Sequence, residues 1–155
     1  MSIRKECDVT GEIHDVWNAW TTTEGAKTFF APDAYVELRI GGPYEMYFDL
    51  EAIPGYRGGE GLRVLSYLTP EMISFEWNAP PSFPKFRGAK TWVVVQFKSN
   101  NQGGTNVVLT HCGWREDSEW MEVYNYFKRA WDIVMDRLQQ RFAEGPIDWK
   151  ALSRA

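Results

Sequence analysis

Few side chains in this sequence have the type and spacing that acid–base or covalent chemistry needs. His111 is the histidine that falls on the apolar face of a predicted strand, in line with Val107 and Leu109. An ordinary imidazole titrates near ~6.5, which suits a general base or a polar ligand contact. A base needs an orienting partner, and none lies at local spacing, so a neutral ring hydrogen-bonded in the core is the plainer reading. His14 sits beside Asp15 and reads as a surface residue. Glu45, Asp49 and Glu76 fall opposite the apolar positions of their strands, as solvated outer-face carboxylates do. A cavity enzyme of the cyclase or hydrolase type would need a bulge that turns Glu45 or Glu76 inward toward His111. Ser66 and Ser74 lack the GxSxG setting of an activated serine. Gly58-Gly59-Glu60-Gly61 has no following GK[ST], so it reads as a flexible turn and not a phosphate loop. Cys7, Cys112 and the two histidines show no CxxC or HxxxH pairing. Neither a metal site nor a cofactor is expected, and the cysteines read as reduced, buried thiols.

Binding is better represented than catalysis. Eight Trp, seven Tyr and nine Phe occur among 155 residues. The faces that should meet inside the fold carry Phe30, Tyr44, Met46, Phe48, Phe75, Trp77, Val95, His111, Tyr124, Phe127, Trp131 and Met135. Such rings either fill a core at close-packed density or wall a pocket for an apolar or aromatic molecule, with His111 or Tyr44 fixing its orientation.

The elements that must position these residues follow from periodicity. Ile3 to Val9 reads as a strand. Ile13, Val16, Trp17 and Trp20 share one face of a short helix, and the threonines at 21–23 cap a second short helix from about Thr23 to Thr28. From Ala34 to Trp114 the period is two. Strands are predicted at Tyr35–Leu38, Tyr44–Leu50, Leu62–Leu68, Met72–Trp77, Thr91–Lys98 and Thr105–Trp114, most economically as an antiparallel meander. Asn78 to Lys90 is a long loop with three prolines, a length that is often functional. A final helix runs from Ser118, read as its N-cap, to about Ala143. Its apolar stripe is Trp120, Tyr124, Phe127, Trp131, Val134, Met135, Leu138 and Phe142. Residues 145–155 read as a loosely ordered tail, with Trp149 available to dock. The whole of 1–155 reads as a single domain.

The totals exclude several classes. Seventeen basic against 21 acidic side chains give a formal charge of −4, without the basic stripe of a nucleic-acid binder or an anionic-membrane binder. No apolar run approaches the ~18 residues of a membrane span. Met1 to Glu6 has no apolar stretch resembling a signal peptide, so a cytoplasmic protein is expected. Trp92 lies on the sheet face away from the apolar set. An exposed ring there would mark a protein interface, which keeps a homodimer among the expectations.

In order along the chain, Val16-Trp17-Asn18-Ala19-Trp20-Thr21-Thr22-Thr23-Glu24 with Phe29-Phe30-Ala31-Pro32, then Gly41-Gly42-Pro43-Tyr44, then Pro70 to Trp77, then Gly103-Gly104-Thr105 with Leu109, His111 and Gly113, then Ala130-Trp131 to Leu138, resemble the motifs of START-like proteins. The similarity is to the branch of activator of heat-shock-protein-ninety ATPase homologues. Phe29-Phe30-Ala31 replaces the family's tryptophan pair and glycine, and Ala130 stands where glycine is common. The resemblance implies an α+β helix-grip fold, in which a curved antiparallel sheet wraps a long C-terminal helix and two short helices follow strand 1. It also implies a cavity for a small hydrophobic molecule between sheet and helix. Members bind lipids, polyketides, hormones or other small molecules, and only some are enzymes. Contact with the chaperone is a further implication. The members that activate it carry an additional N-terminal domain, whereas here the first strand begins at Ile3.

Overall fold

The computed structural model describes residues 1–153. Strand β1 (Ile3–Val9) is followed by helices α1 (Ile13–Thr21) and α2 (Thr23–Ala26). Strands β2 (Asp33–Val36), β3 (Tyr44–Tyr47), β4 (Val64–Leu68), β5 (Met72–Trp77), β6 (Thr91–Ser99) and β7 (Thr105–Cys112) come next. The long helix α3 (Ser118–Glu144) and the short α4 (Trp149–Ser153) complete the order.

The expected meander forms, and β1 closes it. The main sheet is antiparallel in the order β1-β7-β6-β5-β4. β2 and β3 pair separately, and isolated bridges, Pro43 to Arg63 and Tyr47 to Gly58, link them to the segment that leads into β4. β3 is shorter than the alternation predicts. After Tyr47 the amides of Phe48 and Asp49 both donate to the carbonyl of Arg57, at 2.8 and 3.0 Å. That turn ends the strand and leaves Phe48 41% exposed.

The short helices follow from their caps and apolar faces. The Glu12 carboxylate accepts from the His14 amide at 3.2 Å and opens α1, and Thr22 Oγ1 accepts from the Gly25 amide at 2.9 Å and opens α2. Val16, Trp17 and Trp20 are buried as their spacing predicts.

Helix α3 lies along β1, tied by the Lys5–Asp132 ion pair at 2.8 Å and by Gln139 Nε2 donating to the Asp8 carbonyl at 3.1 Å. Trp120, Phe127, Trp131, Val134, Met135 and Leu138 are buried as the stripe predicts, but Val123 joins them while Tyr124 is only partly buried. The N-cap is Asp117, not Ser118: its carboxylate accepts from the Trp120 amide at 2.9 Å. An anionic oxygen complements the exposed amides of the first turn better than a hydroxyl does.

Beyond Gly145 the described residues of the tail make specific contacts. The Ile147 amide donates to the Thr28 carbonyl, Ile147 is buried, and Trp149 Nε1 donates to the Lys27 carbonyl at 2.6 Å. Residues 154 and 155 lie outside the described residues. Together these elements form the helix-grip arrangement of an antiparallel sheet holding a long C-terminal helix.

Candidate functional site

Phe30, Trp77 and Trp131 form a ring cluster where the sheet meets α3. The centroids are 5.6 Å apart for Phe30–Trp77, 5.9 Å for Phe30–Trp131 and 5.2 Å for Trp77–Trp131. A cleft of about 470 Å³ opens above them. One wall is α3, with Tyr126, Phe127, Ala130, Trp131, Ile133, Val134 and Arg137. The facing walls are the β3–β4 loop, with Phe48, Asp49 and Tyr56 to Gly59, and the start of the β5–β6 loop, with Asn78, Pro80, Pro81 and Ser82.

The two loops are held by one side chain. Arg87 donates to the carbonyls of Ala79 at 2.6 Å, Gly55 at 2.8 Å and Gly58 at 3.0 Å. It also lies 3.7 Å from Glu60, and both side chains of that pair are largely buried. The Glu60 carboxylate accepts from the amides of Gly55, Arg57 and Gly58. The segment expected as a flexible turn is therefore wrapped around a carboxylate. Glycine is required at position 58, where φ is +155° and an added Cβ would stand 2.6 Å from the Met46 carbonyl oxygen. The second loop is pinned onto α3 by the Lys85–Glu119 ion pair and by the Phe86 ring 4.7 Å from Trp120.

The expected binding set divides in two. Phe30, Phe48, Trp77, Phe127 and Trp131 line the cleft, whereas Tyr44, Met46, Phe75, Val95, His111, Tyr124 and Met135 do not. Tyr44 is stacked on Phe75 with centroids 4.0 Å apart, and its hydroxyl donates to the Trp20 carbonyl at 2.8 Å. Burial pushes its pKa well up. Met46, Val95 and Met135 are sealed in the same core. Tyr124 instead packs on Trp114 and donates to the Ser2 carbonyl. Interlocked rings fill the deep interior between sheet and helix, and the free volume lies toward the loops.

His111 is fully buried beneath the cleft wall. Trp131 Nε1 lies 2.9 Å from its Nδ1, and Thr91 Oγ1 lies 2.6 Å from its Nε2. An indole N–H can only donate. Nδ1 must therefore accept, which places the proton on Nε2 and directs it to the threonine oxygen. Thr91 in turn donates to the Trp77 carbonyl at 3.4 Å. Burial lowers the imidazole pKa to about 3, so the ring is neutral at physiological pH. Both ring nitrogens are thus engaged by protein groups. The carboxylates that a paired mechanism would need are engaged on the outer face: Glu45 accepts from Tyr47 at 2.5 Å, and Glu76 pairs with Lys90 at 3.3 Å. His111 holds the Trp131 indole through this hydrogen bond.

Sequence reasoning missed Arg57, Arg137, Tyr126 and Asn78 as cleft residues. The glycine-rich and proline-rich loops were the available signal, but the charged face of α3 masked Arg137. Cys7 and Cys112 are free and only partly buried, and burial raises the Cys7 thiol to about 12. Among the described residues no cluster of His, Cys, Asp or Glu could hold a metal ion. No described helix is long and apolar enough to cross a membrane.

Solved structures share this fold. The Aha1 dimer from Colwellia psychrerythraea is 19% identical with a TM-score of 0.70, covering 94% of this chain and 98% of that one. A protein from Mesorhizobium loti is 17% identical with a TM-score of 0.72, covering 95% of this chain and all of that one (100%). DynU16, from the dynemicin biosynthetic locus, is 15% identical with a TM-score of 0.66; the match covers 94% of this chain and 48% of that one. At these identities the likeness is one of fold. Comparison with curated protein sequences gives no match. A family model does match, over residues 11–143. The span takes in α1, both loops of the cleft and nearly all of α3, and the chain belongs to the family described as Activator of Hsp90 ATPase homolog 1-like protein.

Proposed function

We propose that this protein binds a small hydrophobic or aromatic molecule in the cleft between α3 and the two loops. The observation that carries the reading is the ring wall of Phe30, Phe48, Trp77 and Trp131 around about 470 Å³ of free volume. That volume falls in the range of roughly 300–1,000 Å³ found for small-molecule sites. The fold likeness to a protein from a biosynthetic locus supports a small-molecule role. Titration of apolar aromatic compounds, followed by tryptophan fluorescence and native mass spectrometry, tests it. Saturable quenching that is lost in Trp77→Ala and blunted in Trp131→Phe is expected; no uptake of any such compound by the intact protein would remove the proposal.

A homodimer is the partner reading with a specific observation behind it. Trp92 is 45% exposed, and Leu65, Tyr67 and Leu68 are exposed on the edge strand β4. The Colwellia relative was solved as a dimer. Light scattering across a dilution series tests this. The chaperone reading rests on the family's description, and stimulated ATP turnover with the chaperone present is its test.

A further inference from the structure

The ring wall explains why an apolar guest would enter the cleft but not how one would be oriented. That depends on the polar groups around it, and these are unbalanced. Arg137 lies on α3, one turn beyond Val134 and two beyond Trp131, and all three line the cleft. The Trp149 ring covers its guanidinium, with Cζ 5.1 Å from the centroid. No carboxylate or carbonyl among the described residues accepts from it. Burial lowers its pKa, yet a guanidinium remains charged at neutral pH. Its planar fork of N–H groups is shaped for a carboxylate, sulfonate or phosphate oxygen pair.

Two more donors share the wall. Arg57 spends its Nε on the Ala52 carbonyl at 2.8 Å and has no carboxylate partner among the described residues. Trp77 Nε1 is buried and has no hydrogen-bond partner among them either. Against these donor-only groups, the described residues of the cleft offer one carboxylate. That is Asp49, which is exposed and already accepts from the Glu51 amide at 3.1 Å. A chain with net charge −4 thus places two cations and one anion around its cleft among the described residues.

We propose that the ligand is an aromatic or hydrophobic organic anion, its rings against Trp77 and Trp131 and its acid group held by Arg137 with Arg57 at the rim. The inference rests on the binding reading above and narrows it to a chemical class. A neutral hydrocarbon or sterol would leave both guanidiniums beside apolar surface without a counter-charge. An organic acid supplies the missing acceptor and is stripped of little water that the donors do not replace.

The test uses two dyes that share one ring system. 1-Anilinonaphthalene-8-sulfonate carries an anion, and N-phenyl-1-naphthylamine is its uncharged counterpart. Each is titrated into the full-length protein and followed by dye emission and tryptophan quenching. The sulfonate should bind roughly tenfold tighter or more, as a charge-assisted pair in a partly buried site implies. That preference should shrink as added salt screens it. Arg137→Gln should abolish the preference by weakening the sulfonate far more than the uncharged dye, and Arg137→Lys should retain part of it. Circular dichroism and melting curves confirm that each variant is folded, and the wild-type comparison needs no variant. Equal affinity for the two dyes overturns the anion proposal and leaves the binding reading standing. Failure of both dyes to bind overturns both. A sulfonate preference that survives Arg137→Gln and Arg57→Gln overturns the assignment to these residues.

Discussion

Trp131 Nε1 donates to His111 Nδ1 across 2.9 Å, so a fully buried histidine sets the position of a cleft-wall indole. Protonation of Nδ1 would place two N–H groups face to face, and it would leave a charge in the core. The consequence can be read as a pH dependence. In the folded state the ring titrates at about 3, against an ordinary value of 6.5. The unfolded chain therefore takes up a proton that the folded chain refuses. Stability is fully present above pH ~6.5 and falls as pH drops toward the folded value, with a slope approaching ~1.4 kcal/mol per pH unit for one proton. Denaturant melts between pH ~7 and ~5, above the range in which ordinary carboxylates titrate, should show this limb. His111→Gln should flatten it, and an unchanged slope in that variant would assign the limb to other groups.

Thr91→Val keeps the shape at the other nitrogen but removes the oxygen 2.6 Å from Nε2. A buried donor left unpaired costs about 1–3 kcal/mol, and the melting midpoint should fall accordingly. Trp131→Phe removes the opposite bond and should cost a similar amount. The double variant should lose less than the sum, since both changes act through one ring.

Arg87 is predicted to stiffen both cleft loops. Arg87→Lys loses the planar fork that reaches Ala79, Gly55 and Gly58 together. It should cost about 1–3 kcal/mol. Hydrogen exchange should rise at the Gly55, Arg57 and Gly58 amides, which Glu60 binds. Unchanged exchange there would separate Arg87 from loop order.

The start of α3 gives a sharp contrast between neighbours. Asp117→Ala removes the cap on the Trp120 amide and should destabilise by ~1 kcal/mol. Ser118→Ala should change the midpoint little. The reverse ranking would restore the serine as the cap.

Gly58→Ala is expected to be costlier than a surface substitution, because the new methyl group meets the Met46 carbonyl and the Phe48 ring. Thermal melts and tryptophan emission should report a displaced β3–β4 loop. A stability within ~0.5 kcal/mol of wild type would show that the loop accommodates the methyl.

The fold was legible because its signals are periodic. Alternation along β5, β6 and β7 and the repeat of Trp120, Phe127, Trp131 and Leu138 on α3 each bury one face, and burial is what such patterns encode. Tyr44 and Met46 sat on the correct face too, yet a face does not say whether its side chains meet rings or space. Tyr44 meets Phe75, while Trp77, two residues beyond Phe75 on the same strand face, reaches the cleft. Phe48 continued the alternation of β3 but left the strand because Arg57, nine residues later, captured the next two amides. Arg137 was hidden for a similar reason. On a helical wheel it belongs with the solvated side chains, but the ring of Trp149, from beyond the helix end, stands over its guanidinium. Local patterns carry no record of partners supplied by distant loops.

The guanidinium of Arg87 touches carbonyls on both rims of the cleft. The rims are thereby tied together by one side chain, and under the proposed binding, admitting a guest wider than the cleft would require its release. Arrival kinetics would level off with guest concentration at a ceiling belonging to the protein alone, and that ceiling would lift in Arg87→Lys.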